Sequence, residues 1–410
     1  MISTTRIFSL MLATGLASLA LLQPVAALDA EAFVDRVEQV YKVMGYELSF
    51  GAATVAGDDV IVDGVAVGFV GVDQDPTEFD TELTFAGVHE NDDGSYSVRQ
   101  FSVPDIDTVF ASEPEGRLTL TGVVAEGLWL PPAGETGAEN LLRTVRHLAT
   151  GPLAVSRDGE TVLAYDSLDV VSEFALDDDD ALESIESSVV IAGIRADLRT
   201  VAEEEPEAGA VIEALGLTTI EGEFSQLASW TSSAGNMVID EFLLDFADLG
   251  ALNFTADISG LTPAIFDKIY AMQAKSPDAM SEEAQARQMM AGMEMAQALT
   301  ITGATIRYDD ASLAGRLLEM FASQSGADRD SFVAGLKAAL PAMIGQGGVP
   351  ALVDLVVPPV SAFLDDPQSL EISVRPPTPT SLLVLGAAAA NPAGLIQALG
   401  LSVRANQAVE

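Results

Sequence analysis

The chain contains no cysteine, so disulfides, thiolate chemistry and a lipid-attachment cysteine are all excluded. Histidine occurs only at His89 and His147, and a metal centre or catalytic triad would need partners that two histidines barely supply. No G-x-S-x-G, H-E-x-x-H, Walker or G-x-G-x-x-G motif is present. Basic residues are also scarce: 19 Lys and Arg face 62 Asp and Glu, a formal net charge of −43. Phosphate backbones and anionic headgroups would be repelled over most of such a surface, which excludes nucleic acid as a partner. Hydrophobic residues nevertheless make up 49% of the 410 residues, enough for a sizeable core rather than an acidic disordered tail.

The amino terminus has a short basic opening ending at Arg6, an uncharged apolar run from Ile7 to Leu22, and then Pro24-Val25-Ala26-Ala27. Small residues at Val25 and Ala27 suit a cleavage site, so residues 1–27 read as a secretory signal removed after Ala27. An uncleaved anchor helix fits these lengths and flanks less well. The expected destination is the periplasm.

Hydrophobic periodicity predicts an α+β protein, an extended, twisted, mostly antiparallel sheet clad by helices. Residues 28–260 read as a β-rich domain and 261–410 as a helix-rich continuation with added strands. A helix is predicted over Asp29–Tyr46, where Phe33, Val37, Val40, Tyr41 and Met44 recur at three- and four-residue steps. Alternation follows at Val60–Val67, and hairpins flank Asn91–Gly94 and Arg157–Gly159. Arg117–Leu130 reads as a strand or a strand pair. Helices are predicted over Gly137–Leu148 and Glu203–Leu215. Further strands cover Ser167–Leu176, Ser187–Arg199, Leu217–Trp230, Asn236–Leu249 and Ala251–Ser259. Beyond residue 260 helices are expected over Thr262–Met272, Ser281–Leu299, Ser312–Phe321, Arg329–Ile344 and Val349–Leu364, with strands at Leu299–Tyr308 and Glu371–Arg375. A strand-then-helix echo recurs at Ala251–Met272, Ala298–Met320 and Leu370–Ala390, the pattern of units added serially to one sheet.

Candidate sites are few. Asp73, Asp75, Glu78 and Asp80, and the run Asp177–Asp180, could hold a hard cation through oxygen, though a solvated acidic loop explains each as well. Arg143, Arg146, Arg195 and Arg199 are too scattered to name an anion pocket. Met280, Met289, Met290, Met293 and Met295 crowd one segment, and such a face suits either core packing or an irregular apolar ligand. Thr380–Val403 carries no charge, yet Asn391-Pro392 is a helix start and Gly386, Gly394 and Gly400 interrupt the run. Two short buried helices are expected there rather than a membrane span.

The segment Leu370–Pro377 with its Ala-rich continuation, Leu401–Asn406, and Phe246–Leu252 together resemble uncharacterised exported proteins of alphaproteobacteria. These in turn are distantly similar to the AsmA-like envelope proteins. The resemblance implies long curved sheets linked to lipid handling, and it carries no site residues over to this chain.

The expected function is therefore a non-enzymatic exported envelope protein offering an apolar sheet face to lipid or to an envelope partner. No cofactor and no stable membrane span after signal removal are expected. A carboxylate- or divalent-cation-dependent hydrolase and an envelope assembly factor are the alternatives. Lipid binding requires that helices leave part of the oily side of the sheet uncovered.

Overall fold

The computed structural model describes residues 28–72, 75–273, 282–345, 349–388 and 391–408. Residues 1–27, with the expected cleavage position after Ala27, and Asp73 and Met280 lie outside the described residues.

Helix α1 (Ala30–Val43) starts where expected, because the Asp29 carboxylate accepts from the N–H groups of Glu31 and Ala32 at 3.1 and 3.2 Å. Seven strands follow: β1 (Tyr46–Ala56), β2 (Asp59–Phe69), β3 (Thr77–Glu90), β4 (Tyr96–Val103), β5 (Ile106–Ser112), β6 (Glu115–Leu120) and β7 (Val123–Leu130). After the single turn α2 (Ala138–Leu141) come β8 (His147–Thr150), β9 (Leu153–Arg157), β10 (Glu160–Tyr165), β11 (Ser167–Leu176) and β12 (Leu182–Asp197). Helices α3 (Arg199–Glu204) and α4 (Pro206–Leu215) precede β13 (Thr219–Thr231), β14 (Asn236–Phe246) and β15 (Gly250–Ser259). The remainder is α5 (Pro263–Gln273), α6 (Glu282–Ala298), β16 (Thr300–Asp310), α7 (Leu313–Ser325), α8 (Arg329–Gly345) and α9 (Pro350–Asp365), then β17 (Ser369–Val374), β18 (Thr380–Ser381), α10 (Leu382–Ala388), α11 (Pro392–Leu399) and β19 (Leu401–Ala405).

All these strands belong to one antiparallel sheet. Its main line runs β1-β2-β3-β4-β7-β8-β11-β12-β13-β14-β15-β16-β17-β19. A branch β5-β6-β9-β10 joins it at β12, where Leu163 and Ala164 pair with Ala196 and Arg195. The sheet therefore forks at β12: β11 takes one stretch of that edge and β10 the next. No break falls at residue 260, since β15 pairs with β16 from Gly250↔Asp310 to Ser259↔Thr300. After that residue the described chain forms seven helices and four strands. The echo corresponds to real units: β15 leads into α5, β16 into α7, and β17 through β18 into α10, with β15, β16 and β17 adjacent in the sheet.

Residues opposed across antiparallel strands share a face. Val60, Phe85, Phe101, Ala125, Leu148, Val170 and Val189 form one such row. Ile191, two residues beyond Val189, continues it through Phe224, Leu244, Leu252, Tyr308, Leu370 and Ala405. The opposite face is polar over the same strands, as in the row Asn253, Arg307, Glu371 and Arg404. One apolar face thus runs through the main line of the sheet.

The helices lean onto that apolar side. Helix α1 buries Phe33, Val34, Val37 and Val40 against β2, β3, β4 and β7. Phe266 of α5 meets the ring of Trp230 edge-on at 5.7 Å, and the Trp230 indole donates to the Leu261 carbonyl at 2.8 Å. Phe363 of α9 lies 6.5 Å from Tyr308. Cover is incomplete: the cross-strand pair Ile306 and Ile372 stays 44% and 42% exposed.

Three local expectations are corrected. Gly137–Leu148 is not a helix; only the turn α2 forms, and His147 opens β8 between β7 and β11. A strand slot between two partners supplies hydrogen bonds on both sides, and this outweighs the weak local preference of Arg143–Leu148. Glu203–Leu215 is two helices, because Pro206 has no N–H to continue α3 and instead starts α4. Arg117–Leu130 is a strand pair in sequence only: β6 pairs with β5 and β9, while β7 pairs with β4 and β8. The chain around Thr380–Val403 forms α10, α11 and the start of β19, with the Asn391 side chain capping α11. Among the described residues no helix is long and apolar enough to cross a membrane.

Candidate apolar binding site

The most apolar concavity lies between α1 and the first strands. Its volume is about 280 Å³, close to the lower end of small-molecule sites, roughly 300–1,000 Å³. Helix α1 contributes Phe33, Val37 and Tyr41 to the wall, and β1 to β5 and β7 supply the rest, from Phe50 and Val65 to Ile106 and Leu128. Of seventeen lining residues only Thr81 is neither aliphatic nor aromatic.

A kink at Gly51 and Gly64 shapes the floor. The β1–β2 pairing runs from Phe50↔Val65 directly to Ala52↔Asp63, skipping Gly51 and Gly64. Gly64 has φ +86°, and a Cβ on Gly51 would lie 1.8 Å from the Asp63 carbonyl oxygen. In an unbroken strand Val62 and Val65 would face opposite sides. The pairing keeps its register, and the left-handed Gly64 reverses the alternation so that both face inward, Val62 into the core and Val65 into the cavity wall.

The helix is held to the sheet by more than oil. Glu38 of α1 accepts from the Phe50 N–H at 2.9 Å, and Arg36 donates to the carbonyls of Gly94 and Pro131 at 3.1 and 2.6 Å. Burial raises the Tyr41 phenol pKa above its ordinary value, with the nearby Tyr46 adding to the rise, so Tyr41 lines the cavity as a neutral group. From Tyr41 an aromatic series leads outward, to Tyr46 at 6.3 Å and on to the exposed Phe69 at 5.7 Å. Such a lining offers dispersion and exclusion of water, and almost nothing that could activate a nucleophile or bind a charge.

The residues singled out from sequence lie elsewhere. Met289, Met290 and Met293 project from α6 and are 58–71% exposed, whereas Met295 is half-buried. Helix α6 packs against α10, whose Leu382, Leu383 and Val384 are exposed as well. Asp177–Asp180 is the tight turn between β11 and β12, where the Asp177 carboxylate accepts from the N–H groups of Asp179 and Ala181. Asp75, Glu78, Asp80 and His89 are all exposed. Among the described residues no group of three or more His, Asp or Glu is arranged to hold a metal ion. His147 lies between Glu126 and Asp169. Arg195 and Arg199 are bound to Asp166 and Asp197.

The cavity residues were not singled out as a site by pattern. Alternation at Val60–Val67 marks an inward face, but the reversal at Gly64 and the strand β5 that brings Ile106 to the wall have no distinct signature in the chain. A family model described only as "Uncharacterized protein" matches residues 243–406, from within β14 through β19. No curated protein matches the chain.

Proposed function

We propose that this chain is an exported, non-enzymatic protein of the cell envelope that holds an apolar ligand of the lipid class. The observation that carries the reading is the cavity under α1, whose lining is apolar but for Thr81. The same apolar face continues through the sheet and is left partly open at Ile306 and Ile372. Burying an alkyl chain there removes apolar surface from water at about 25 cal/mol per Å². The leader-like residues 1–27 support export to the periplasm, and the resemblance to AsmA-like envelope proteins points the same way.

Native mass spectrometry of delipidated chain 28–410 with fatty acids and phospholipids tests the proposal. Stoichiometric retention of an acyl-bearing molecule is expected, and Thr81→Phe, which puts a ring in place of a small lining side chain, should reduce it at least tenfold while leaving the unfolding transition in place. Absence of any retained lipid from the unmodified chain would remove the basis of the proposal.

A further inference from the structure

Three arginines without a carboxylate partner meet in a second concavity, of about 430 Å³. They are Arg99 on β4, and Arg143 and Arg146 on the segment between α2 and β8. Arg117, Arg195, Arg199, Arg307 and Arg404 each lie within 4.0 Å of a carboxylate, as acids outnumbering bases would lead one to expect. None of these three does among the described residues, and no Asp or Glu lines the concavity.

Two aromatic rings stand beside them. The Arg143 guanidinium stacks 3.8 Å from the centroid of Trp129, and that of Arg146 lies 5.1 Å from the centroid of Phe174. The two Nη atoms of Arg143 are spent on neutral acceptors, the Asp180 carbonyl at 2.8 Å and the Asn140 amide oxygen at 3.1 Å, and its buried Nε has no acceptor. Its positive charge is therefore oriented and partly desolvated, with the carboxylates of Glu139, Asp180 and Asp93 acting on it only from beyond ion-pair distance. Arg99 and Arg146 are exposed and present their donors to solvent.

We infer that this concavity is a binding site for an oxyanion carried on a flat apolar group, as in an aryl phosphate. Planar guanidinium groups donate pairs of hydrogen bonds that match the oxygens of such an anion. The exposed Leu176, together with whatever of the Trp129 and Phe174 rings the guanidinium groups leave uncovered, supplies the surface for its apolar part. The strands β4 and β7 separate this site from the cavity under α1, since Val98 and Leu128 line both, so the inference stands without the lipid reading.

Calorimetric titration of chain 28–410 with phenyl phosphate and with inorganic phosphate tests it. Phenyl phosphate should bind at least ten times more tightly than inorganic phosphate, and R99Q/R146Q should weaken it at least tenfold. R99Q alone, expected to lose several-fold, serves if the double variant does not fold. Pelleting with phosphatidic-acid vesicles that R99Q/R146Q abolishes would assign the oxyanion to a lipid headgroup, and phenyl phosphate binding without pelleting would assign it to a free small molecule; both support the site. No saturable binding at millimolar phenyl phosphate, equal affinity for the two phosphates, or undiminished binding by the folded double variant would each overturn it.

Discussion

The imidazole Nε2 of His147 lies 2.9 Å from the Asp169 carboxylate, joining β8 to β11. Its Nδ1 is 3.3 Å from Glu126 on β7, so one side chain spans three strands at the seam between the amino-terminal strands and the rest of the main line.

That geometry sets a pH dependence. Hydrogen bonding to Asp169, then to Glu126, raises the His147 pKa above its ordinary value. A raised folded-state pKa contributes stability that is complete below the unfolded value of about 6.5 and is lost as pH rises through the folded value. The groups are partly solvated, so the gain stays under about 1 kcal/mol and shrinks in high salt. Thermal unfolding scans from pH 5 to 9 should show a decline in stability above about 6.5 that His147→Gln flattens; an unchanged profile in the variant would rule the bridge out as its source.

Phe33 should be the most costly residue of α1 to truncate. It is wholly buried and meets Phe85 and Tyr96 edge-on at 5.1 and 5.3 Å. Phe33→Ala is expected to lose about 3–5 kcal/mol through removed contacts and the void left behind. Urea unfolding measures it, and a loss below about 1 kcal/mol would mean that α1 is not bound to the sheet as described.

On the polar face, Glu371 accepts from Arg404 at 2.6 Å and lies 3.4 Å from Arg307, which also holds Asp309 at 2.6 Å. Both Arg307 and Glu371 are almost fully covered. Removing the charge of Glu371 takes a covered carboxylate from between two guanidinium groups. Glu371→Gln is expected to destabilise by about 3 kcal/mol, whereas the exposed Asp107→Asn, which breaks the Arg117 pair, should leave the unfolding transition almost where it was. Equal effects of the two changes in chemical denaturation would show that burial does not govern these pairs.

Legibility followed the range of the interactions. The α1 cap at Asp29, the turn at Asp158-Gly159, the break at Asn391-Pro392 and the alternation of the long strands are set by neighbours a few residues apart, and each is readable in the chain. The strand His147–Thr150 is not, because four residues carry no usable periodicity and their conformation follows from the gap between β7 and β11. Met289, Met290 and Met293 read equally well as core or surface until α6 is placed, and they are exposed.

Composition and local pattern alone determined the absence of thiol chemistry, the acidic surface and a β-rich sheet with one oily side, since these depend on residue type and nearest neighbours. Only the tertiary structure decided which part of that side α1 encloses, and that Arg99 meets Arg143 and Arg146 beside Trp129 and Phe174. Those meetings are made by strand order, register and bulges, and the pairing energies that select among registers are summed over residues far apart in the chain.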